Sequence, residues 1–143
     1  NDAPGVSTRL TDMGVEPFLV SSSAIGILAQ RLVRMICPDC KEKISPNPKL
    51  LAELGLSKSG GTFYKGKGCK SCNSTGYKKR IGIYELLLID EKIRELILLK
   101  SSSDVIRKAA EAAGMKSLRQ DGLRKVLDGK TTLEEVARVT RID

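Results

Sequence analysis

The sequence predicts a mixed α/β fold, mainly helical overall, with a cysteine-rich middle segment and a C-terminal helical segment. Apolar and polar residues alternate over 30–36, and residues 81–89, IGIYELLLI, form an apolar run; both are typical of β-strands. Between residues 91 and 139 the apolar positions recur every three or four residues, as on one face of a helix. All four cysteines lie between residues 37 and 72.

The first 36 residues are expected to form two helices before the strand. Asp2 can cap a helix over residues 1–13, and Gly14 can end it. Pro17 suits the first turn of a second, more buried helix over residues 17–29.

The segment between the cysteine pairs is expected to hold a short helix over 48–56 and a strand over 62–66. It has little other apolar material to bury, so we expect a cross-link such as a metal site to stabilise it.

Residues that typically cap the start of a helix recur in the C-terminal part of the sequence. The predicted helices are 91–100, capped by Asp90; a second one that is capped by the serines at 101–103 and runs to Gly114; and 115–128. Thr131 and Glu134 have the spacing of a capping box, which predicts a last helix.

The composition excludes several functions. Because the chain has no histidine, no Ser-His-Asp or Cys-His catalytic site can form within it. Its two phenylalanines and three tyrosines are few for a stacking platform that binds single-stranded nucleic acid. No apolar stretch reaches the ~18 residues of a membrane span, and we expect no secretory signal. Since the sequence starts without methionine, we expect a processed protein or a piece of a longer one.

The formal net charge of +8 is concentrated in the middle of the chain. Residues 37–80 hold ten basic and three acidic side chains, a balance of +7, whereas residues 1–36 balance to 0 and residues 81–143 to +1. A solvated lysine surface is the simplest interpretation. The alternative is a patch around Lys78-Lys79-Arg80 that binds acidic protein, anionic lipid headgroups or nucleic acid.

Two C-x-x-C pairs, separated by 28 residues, are formed by Cys37, Cys40, Cys69 and Cys72. Each pair can form a knuckle that directs two thiolates at one ion, and two knuckles complete tetrahedral coordination. We therefore predict that these four residues bind Zn²⁺. Because four protein ligands leave no open position for water, the zinc would be structural rather than catalytic.

Disulfides, four buried thiols and a redox pair are the alternatives for these cysteines. Disulfides need an oxidising compartment. A redox C-x-x-C pair would be expected in a thioredoxin-like context, which the flanking residues do not resemble. The spacing by itself does not name a family.

Three longer stretches carry a resemblance to a known family: NDAPGVSTRLTDMGVEPFLV, AQRLVRMICPDCK and GCKSCNSTGYKKRIGIYELLLID. Together they resemble the C-terminal part of the assembly ATPases of type II secretion and type IV pilus systems, over nearly the whole chain. The C-x-x-C-x-x-T-G-Y segment followed by R-x-G-I-Y-E is the most specific part of the match.

The resemblance implies a piece of a cytoplasmic hexameric ATPase that is peripheral to the inner membrane of a bacterium. Residues 1–36 would be the C-terminal portion, or edge, of its RecA-like core, residues 37–80 its tetracysteine metal-binding subdomain, and residues 81–143 a return strand with C-terminal helices. In the full-length protein ATP and Mg²⁺ would be the cofactors. The implied partners are further copies of the protein, the inner-membrane platform and cytoplasmic-domain proteins of the machine, and anionic lipid.

Two positions depart from the family's pattern. Lys79 stands where the family usually has glycine, which puts a glycine-specific turn there in question, and Met35 stands where arginine is common. The sequence contains no G-x-x-x-x-G-K-[ST] phosphate-binding loop. We therefore expect no ATP hydrolysis by this chain alone and assign no catalytic or nucleotide-binding residue.

Four charged residues outside the cysteine segment could serve in ion pairs or in catalysis. Arg9, Arg31 and Arg34 are expected in surface ion pairs rather than as an arginine finger. Glu85, which matches a glutamate of the family, is expected to pair with a basic residue rather than to catalyse a reaction.

Two rival functions remain open. A zinc-ribbon module that binds nucleic acid is favoured by the +7 segment and would bind with strong salt dependence. A chaperone-type zinc domain is suggested by CNSTG, but the chain has two C-x-x-C pairs rather than four.

Overall fold

The computed structural model describes residues 2–56 and 61–141, so residues 57–60 of the predicted cysteine subdomain lie outside the description. Within the described residues the chain is mixed α/β. The elements are α1 (Ala3–Asp12), α2 (Pro17–Ser23), β1 (Gly26–Ile36), β2 (Lys41–Ile44), α3 (Pro48–Glu53), β3 (Phe63–Gly66), a 3-10 turn (Lys70–Cys72), β4 (Tyr77–Leu88), α4 (Glu91–Leu98), α5 (Ser103–Ala112), α6 (Leu118–Leu127) and α7 (Leu133–Thr140).

The strands form two separate two-stranded sheets in the described part of the chain. One sheet pairs β1 with β4. The other pairs β2 with β3 in antiparallel register, with Lys41 opposite Gly66 and Ile44 opposite Phe63. The α/β character is therefore confirmed, and the longest described elements are the strands β4, of 12 residues, and β1, of 11.

The chain divides into two compact units of two segments each. The first unit comprises Asn1–Gln30 and Tyr84–Leu118, and the second comprises Arg31–Ile83 and Arg119–Asp143. Both β1 and β4 contribute residues to each unit.

The first unit is built on capped helices. The Asp2 carboxylate accepts a hydrogen bond from the Gly5 amide, and the Asp90 carboxylate accepts one from the Ile93 amide at 2.9 Å. These side chains satisfy donors that a helix start leaves free. The buried core of this unit consists of Ala3, Val20, Leu87, Ile89, Ile93, Leu96, Ile97, Ile106 and Ala110.

The second unit has its own core, in which residues of the cysteine-rich segment pack with α6 and α7. The buried members are Leu54, Phe63, Leu123, Val126, Leu133, Val136 and Ala137. The middle segment therefore buries more apolar surface than its own sequence indicates, because α6 and α7 supply the other half of the core.

Most predicted elements are present, and two predictions need correction. The helix expected over 17–29 ends at Ser23, and its last residues belong to β1, because they hydrogen-bond to a strand that is distant in sequence. The last helix is capped by Thr132, whose hydroxyl accepts a hydrogen bond from the Glu135 amide, one position later than the predicted pair.

Among the described residues no helix combines the length and the apolar character that a bilayer crossing requires.

Candidate metal centre

Local backbone contacts place the two cysteine pairs together. The Cys37 amide, directly after β1, donates a hydrogen bond to the Gly76 carbonyl at 2.9 Å. The Lys67 amide donates to the Cys40 carbonyl at 3.0 Å, which joins the segment before the second pair to the end of the first. Cys72 lies at the end of the 3-10 turn.

The four sulfur atoms have the separations of a tetrahedral metal site. They all lie within 4.8 Å of one another. The Sγ–Sγ distance is 3.8 Å for Cys37–Cys69, 3.8 Å for Cys40–Cys72 and 3.7 Å for Cys69–Cys72. Four sulfurs that each lie about 2.3 Å from a central zinc ion would be about 3.8 Å apart. The cluster can therefore hold one metal ion.

These distances argue against the disulfide alternative. A disulfide requires sulfurs about 2.05 Å apart, and all four cysteines are free in this structure. Cys37 and Cys72 are buried, and Cys40 and Cys69 are half-buried.

Backbone N–H groups donate hydrogen bonds to two of the cysteine sulfurs. The Gly68 amide donates to Cys40 Sγ at 3.3 Å, and the amides of Cys69 and Gly76 donate to Cys72 Sγ at 3.3 and 3.2 Å. Burial raises the pKa of Cys72, but these two amides outweigh it and the pKa falls to about 6. Burial raises the pKa of Cys40 to about 12, which its single amide donor opposes. A thiolate at Cys72 is the form that a metal binds.

Two glycines allow the backbone to close around the cluster. A Cβ atom at Gly66 would lie 2.1 Å from the Gly76 carbonyl oxygen, and one at Gly76 would lie 2.5 Å from the Gly66 carbonyl oxygen. Gly76 also has a φ angle of +81°, which favours glycine. Gly76 is the glycine of the T-G-Y motif that follows the second cysteine pair, four residues after Cys72.

A buried carboxylate stabilises the strand ends next to the cysteines. Glu135 is 1% exposed and accepts hydrogen bonds from the Arg34 amide at 2.7 Å and from the Arg34 guanidinium at 2.8 Å. Arg138 donates to the same carboxylate at 2.9 Å. The Arg34 guanidinium also lies 4.2 Å from the centroid of the Tyr77 ring. Burial raises the pKa of Glu135, but the two arginines outweigh it and the pKa falls to about 2.

The charged residues outside the cysteine segment lie apart from the cysteine cluster or in ion pairs. Arg34 forms an ion pair with Glu135, as was expected for this arginine, whereas Arg9 is exposed. Glu85 is 1% exposed and lies 3.9 Å from Arg107, so the expected basic partner is present. Lys79 has a φ angle of +65°, the conformation that a glycine would adopt most easily.

Comparison with known proteins identifies the family. The model of the family "Type II/IV secretion system protein" matches residues 1–138. The chain belongs to this family. The resemblance of the quoted sequence stretches is thereby confirmed.

Relatives from both kinds of machine are similar over almost the whole chain. The type IV pilus assembly ATPase PilB of Thermus thermophilus is 51% identical over 139 residues, which is 95% of this chain and 16% of that protein. The type II secretion system protein E of Pseudomonas aeruginosa is 49% identical over 142 residues, covering 99% of this chain and 28% of that protein. The type II secretion system ATPase E of Vibrio cholerae is 47% identical, with the same coverage. This chain thus spans between about a sixth and about a quarter of these relatives.

Proposed function

We propose that this chain is the C-terminal part of a hexameric, cytoplasmic ATPase that powers type II secretion or type IV pilus assembly at the bacterial inner membrane. Its own contribution is a structural zinc site and the helices around it rather than the nucleotide phosphate site. Its partners would be further copies of the same protein and the platform and cytoplasmic-domain proteins of the machine.

The tetracysteine cluster carries this proposal. Its sulfur separations suit a closed tetrahedral site, and a set of four thiolates favours zinc over the harder divalent metals. Cys37, Cys40, Cys69 and Cys72 would hold the ion. When bound, the ion would cross-link the two knuckles.

An exposed apolar face of the β1–β4 sheet supports the assignment of residues 1–36 to a larger RecA-like core. In β4 the side chains of Leu86 and Leu88 are 50% and 63% exposed, and Leu28 of β1 is 61% exposed. A Cβ atom at Gly26 would lie 3.7 Å from Leu86 and 3.9 Å from Leu88, so Gly26 faces the same side. Sheets in α/β proteins normally have both faces covered. We assign this face to contact with the rest of a RecA-like core.

A segment exchange tests the proposal. In the Pseudomonas aeruginosa type II secretion system protein E, the matching 142 residues would be replaced by this chain, and secreted protein would be measured in the culture medium of a strain that lacks the native gene. We expect the chimera to restore secretion. We expect a Cys37→Ser/Cys40→Ser chimera not to, while Ser71→Ala, a change at the exposed residue next to Cys72, leaves secretion intact.

Two results would contradict the proposal. One is a chimera that accumulates to the normal level with bound zinc but does not secrete. The other is secretion that is unaffected by the cysteine changes. A pilus role would be tested in the same way with the Thermus thermophilus relative and counts of surface pili.

We also expect the chain alone not to hydrolyse ATP, because it lacks a phosphate-binding loop. Phosphate release by the purified chain is the measurement. Turnover that survives removal of contaminating ATPases would overturn this expectation.

A further inference from the structure

The four cysteines differ in their exposure to solvent. Cys37 is fully buried and Cys72 is 6% exposed, whereas Cys40 and Cys69 are half-buried. A small solute can therefore reach the side chains of Cys40 and Cys69 more easily than those of the other two cysteines.

Local charge distinguishes these two half-buried cysteines from each other. Residues 67–80, around Cys69, contain five basic side chains and no acidic one, whereas residues 37–44, around Cys40, contain two basic and two acidic ones. The residue directly after Cys69 is the exposed Lys70. Cysteines that react with small oxidants lie in partly exposed, electropositive surroundings, because a nearby cation stabilises the negative charge of the thiolate and of the leaving group. Cys69 has these surroundings and Cys40 does not.

A second thiol lies close to Cys69 in the same turn of the chain. Cys69 Sγ is 3.7 Å from Cys72 Sγ and 3.8 Å from Cys37 Sγ. Cys69 is the cap of the 3-10 turn that ends at Cys72. A disulfide between these two requires their sulfurs to approach to about 2.05 Å, which is a movement within one turn. A disulfide to Cys37 would also require a movement of the segment that follows β1.

We propose that Cys69 is a site of oxidation by hydrogen peroxide and that Cys72 converts the product into a disulfide. The Cys69 thiolate attacks one peroxide oxygen, the O–O bond breaks, and the other oxygen leaves as hydroxide, so that Cys69 becomes a sulfenic acid. The Cys72 thiolate then attacks the Cys69 sulfur, forms the S–S bond and expels the second oxygen as hydroxide. The two thiolates lose two electrons together, and the peroxide, with two protons from solvent, becomes two water molecules.

The consequence of this disulfide is the release of the metal ion. The inference rests on the zinc site of the proposed function and goes beyond it. Because a metal binds thiolates, the disulfide removes two of the four ligands, and Cys37 and Cys40 alone cannot complete a closed tetrahedral site. A disulfide can be reduced again, whereas a sulfinic acid normally cannot, so the neighbouring Cys72 protects Cys69 from irreversible oxidation. Disulfides in reducing compartments are usually transient in this way.

Peroxide treatment of the zinc-loaded 143-residue chain tests the proposal. A coloured zinc chelator measures the released ion, and mass spectrometry after alkylation and trypsin digestion identifies the oxidised cysteines. Trypsin cuts after Lys70, between Cys69 and Cys72, so their disulfide appears as two joined peptides, whereas Cys37 and Cys40 stay in one peptide. We expect the Cys69–Cys72 disulfide to form first, in step with zinc release. A dithiol reductant with added zinc should then restore the bound ion.

Two variants that keep all four cysteines test the choice of Cys69. We expect Lys70→Glu to slow zinc release by peroxide about fivefold, because it replaces a cation next to Cys69 by an anion. Lys43→Glu makes the same change of charge at an exposed position of β2 and should release zinc at the rate of the unsubstituted chain. Both variants should bind one zinc ion before peroxide is added, which separates an effect on reactivity from a loss of folding.

Several outcomes would overturn the inference. These are retention of zinc in peroxide, a first disulfide between Cys37 and Cys40, equal rates in the two lysine variants, or oxidation of Cys69 that the reductant does not reverse. A chain that restores secretion in the segment exchange but keeps its zinc in peroxide would disprove the oxidation and leave the proposed function standing. A chain that binds no zinc at all would contradict both.

Discussion

The pKa of Glu135 depends strongly on the folded structure. It is buried with two arginine partners, which lower its pKa from an ordinary 4.5 to about 2. Because the folded pKa lies below the unfolded one, the stabilisation is complete above about pH 4.5 and is lost as the pH falls towards 2. The size of this effect is about 3 kcal/mol.

Denaturant unfolding of the Glu135→Gln variant at several pH values tests this linkage. We expect the variant to lose stability at pH 7 and to lack this part of the decline between pH 4.5 and 2. Glu134→Gln, an exposed neighbour in the first turn of α7, is the control and should retain it. An unchanged pH profile in Glu135→Gln would show that the arginines do not hold this carboxylate ionised.

Gly66 offers a second test at the scale of one residue. A Cβ atom at Gly66 would lie 2.1 Å from a backbone oxygen, which cannot move away as a side chain could. We expect Gly66→Ala to cost more than about 2 kcal/mol and to weaken zinc binding. Equilibrium unfolding and competition with a zinc chelator measure the two effects.

Gly55→Ala is the matched change in the same unit. Gly55 has a φ angle of +76° but open space around its Cα, so the substitution adds backbone strain without a collision. It should cost about 1 kcal/mol and leave zinc affinity unchanged. Equal effects of the two substitutions would mean that the close approach of Gly66 and Gly76 is unimportant.

The helix caps show which local features can be predicted from the sequence. The caps at Asp2 and Asp90 were predictable because the side chain and the amide that it binds are three residues apart. The choice between Thr131 and Thr132 was not, because Glu134 and Glu135 give both threonines the same capping-box spacing. Tertiary contacts decide it: the Thr131 hydroxyl donates to the Arg34 carbonyl at 2.7 Å.

At the scale of elements, Glu85 connects two helix starts. Its carboxylate accepts a hydrogen bond from the Ala3 amide at 2.8 Å and another from the Leu118 amide at 3.1 Å. Ala3 is the first residue of α1 and Leu118 the first of α6. A negative charge at two helix N-termini interacts favourably with both helix dipoles. Arg107 lies 3.9 Å from the same carboxylate, and it also pairs with Asp2.

We therefore expect Glu85→Ala to destabilise the first unit by about 3 kcal/mol, because it leaves two buried amides without their acceptor. Chemical denaturation followed by circular dichroism measures the loss. Glu95→Ala, at an exposed position of α4, should change stability by less than about 0.5 kcal/mol. A Glu85→Ala variant as stable as the control would contradict this role.

The helix expected over 17–29 was predicted too long because a contact distant in sequence decides the structure of its last residues. Residues 26–29 were expected to continue the helix that begins at Pro17, because the stretch remains mostly apolar up to Ala29. In the fold they belong to β1, whose partner β4 begins more than 40 residues after β1 ends. The gathering of the four cysteines, by contrast, followed from their spacing. What holds them, the glycine contact and the backbone amides, depends on three-dimensional packing.

At the scale of the whole molecule, the second unit should respond to metal removal as one body. Its core includes Phe63 from the middle segment and Val126 and Val136 from α6 and α7. We expect a zinc chelator to reduce amide hydrogen-exchange protection in residues 37–80 and in α7 together. Protection in α4 should persist.

Hydrogen exchange with mass spectrometry, with and without chelator, gives the comparison by segment. The Cys69→Ser variant should reproduce the chelated pattern without any chelator. Protection that changes in residues 37–80 alone would show that α7 is independent of the metal site. No change anywhere would show that the cluster does not need a metal.

The interleaved division of the chain has a consequence for its synthesis. Residues 31–83, which belong to the second unit, leave the ribosome before residues 84–118 of the first, and the second unit then needs residues 119–143. Neither unit can form its complete core while its first segment emerges from the ribosome, so the first strands stay unpaired until later residues have been synthesised. Nascent chains stalled shortly after residue 83 should therefore depend on chaperones, whereas chains stalled well beyond residue 118 should already contain a protease-resistant first unit.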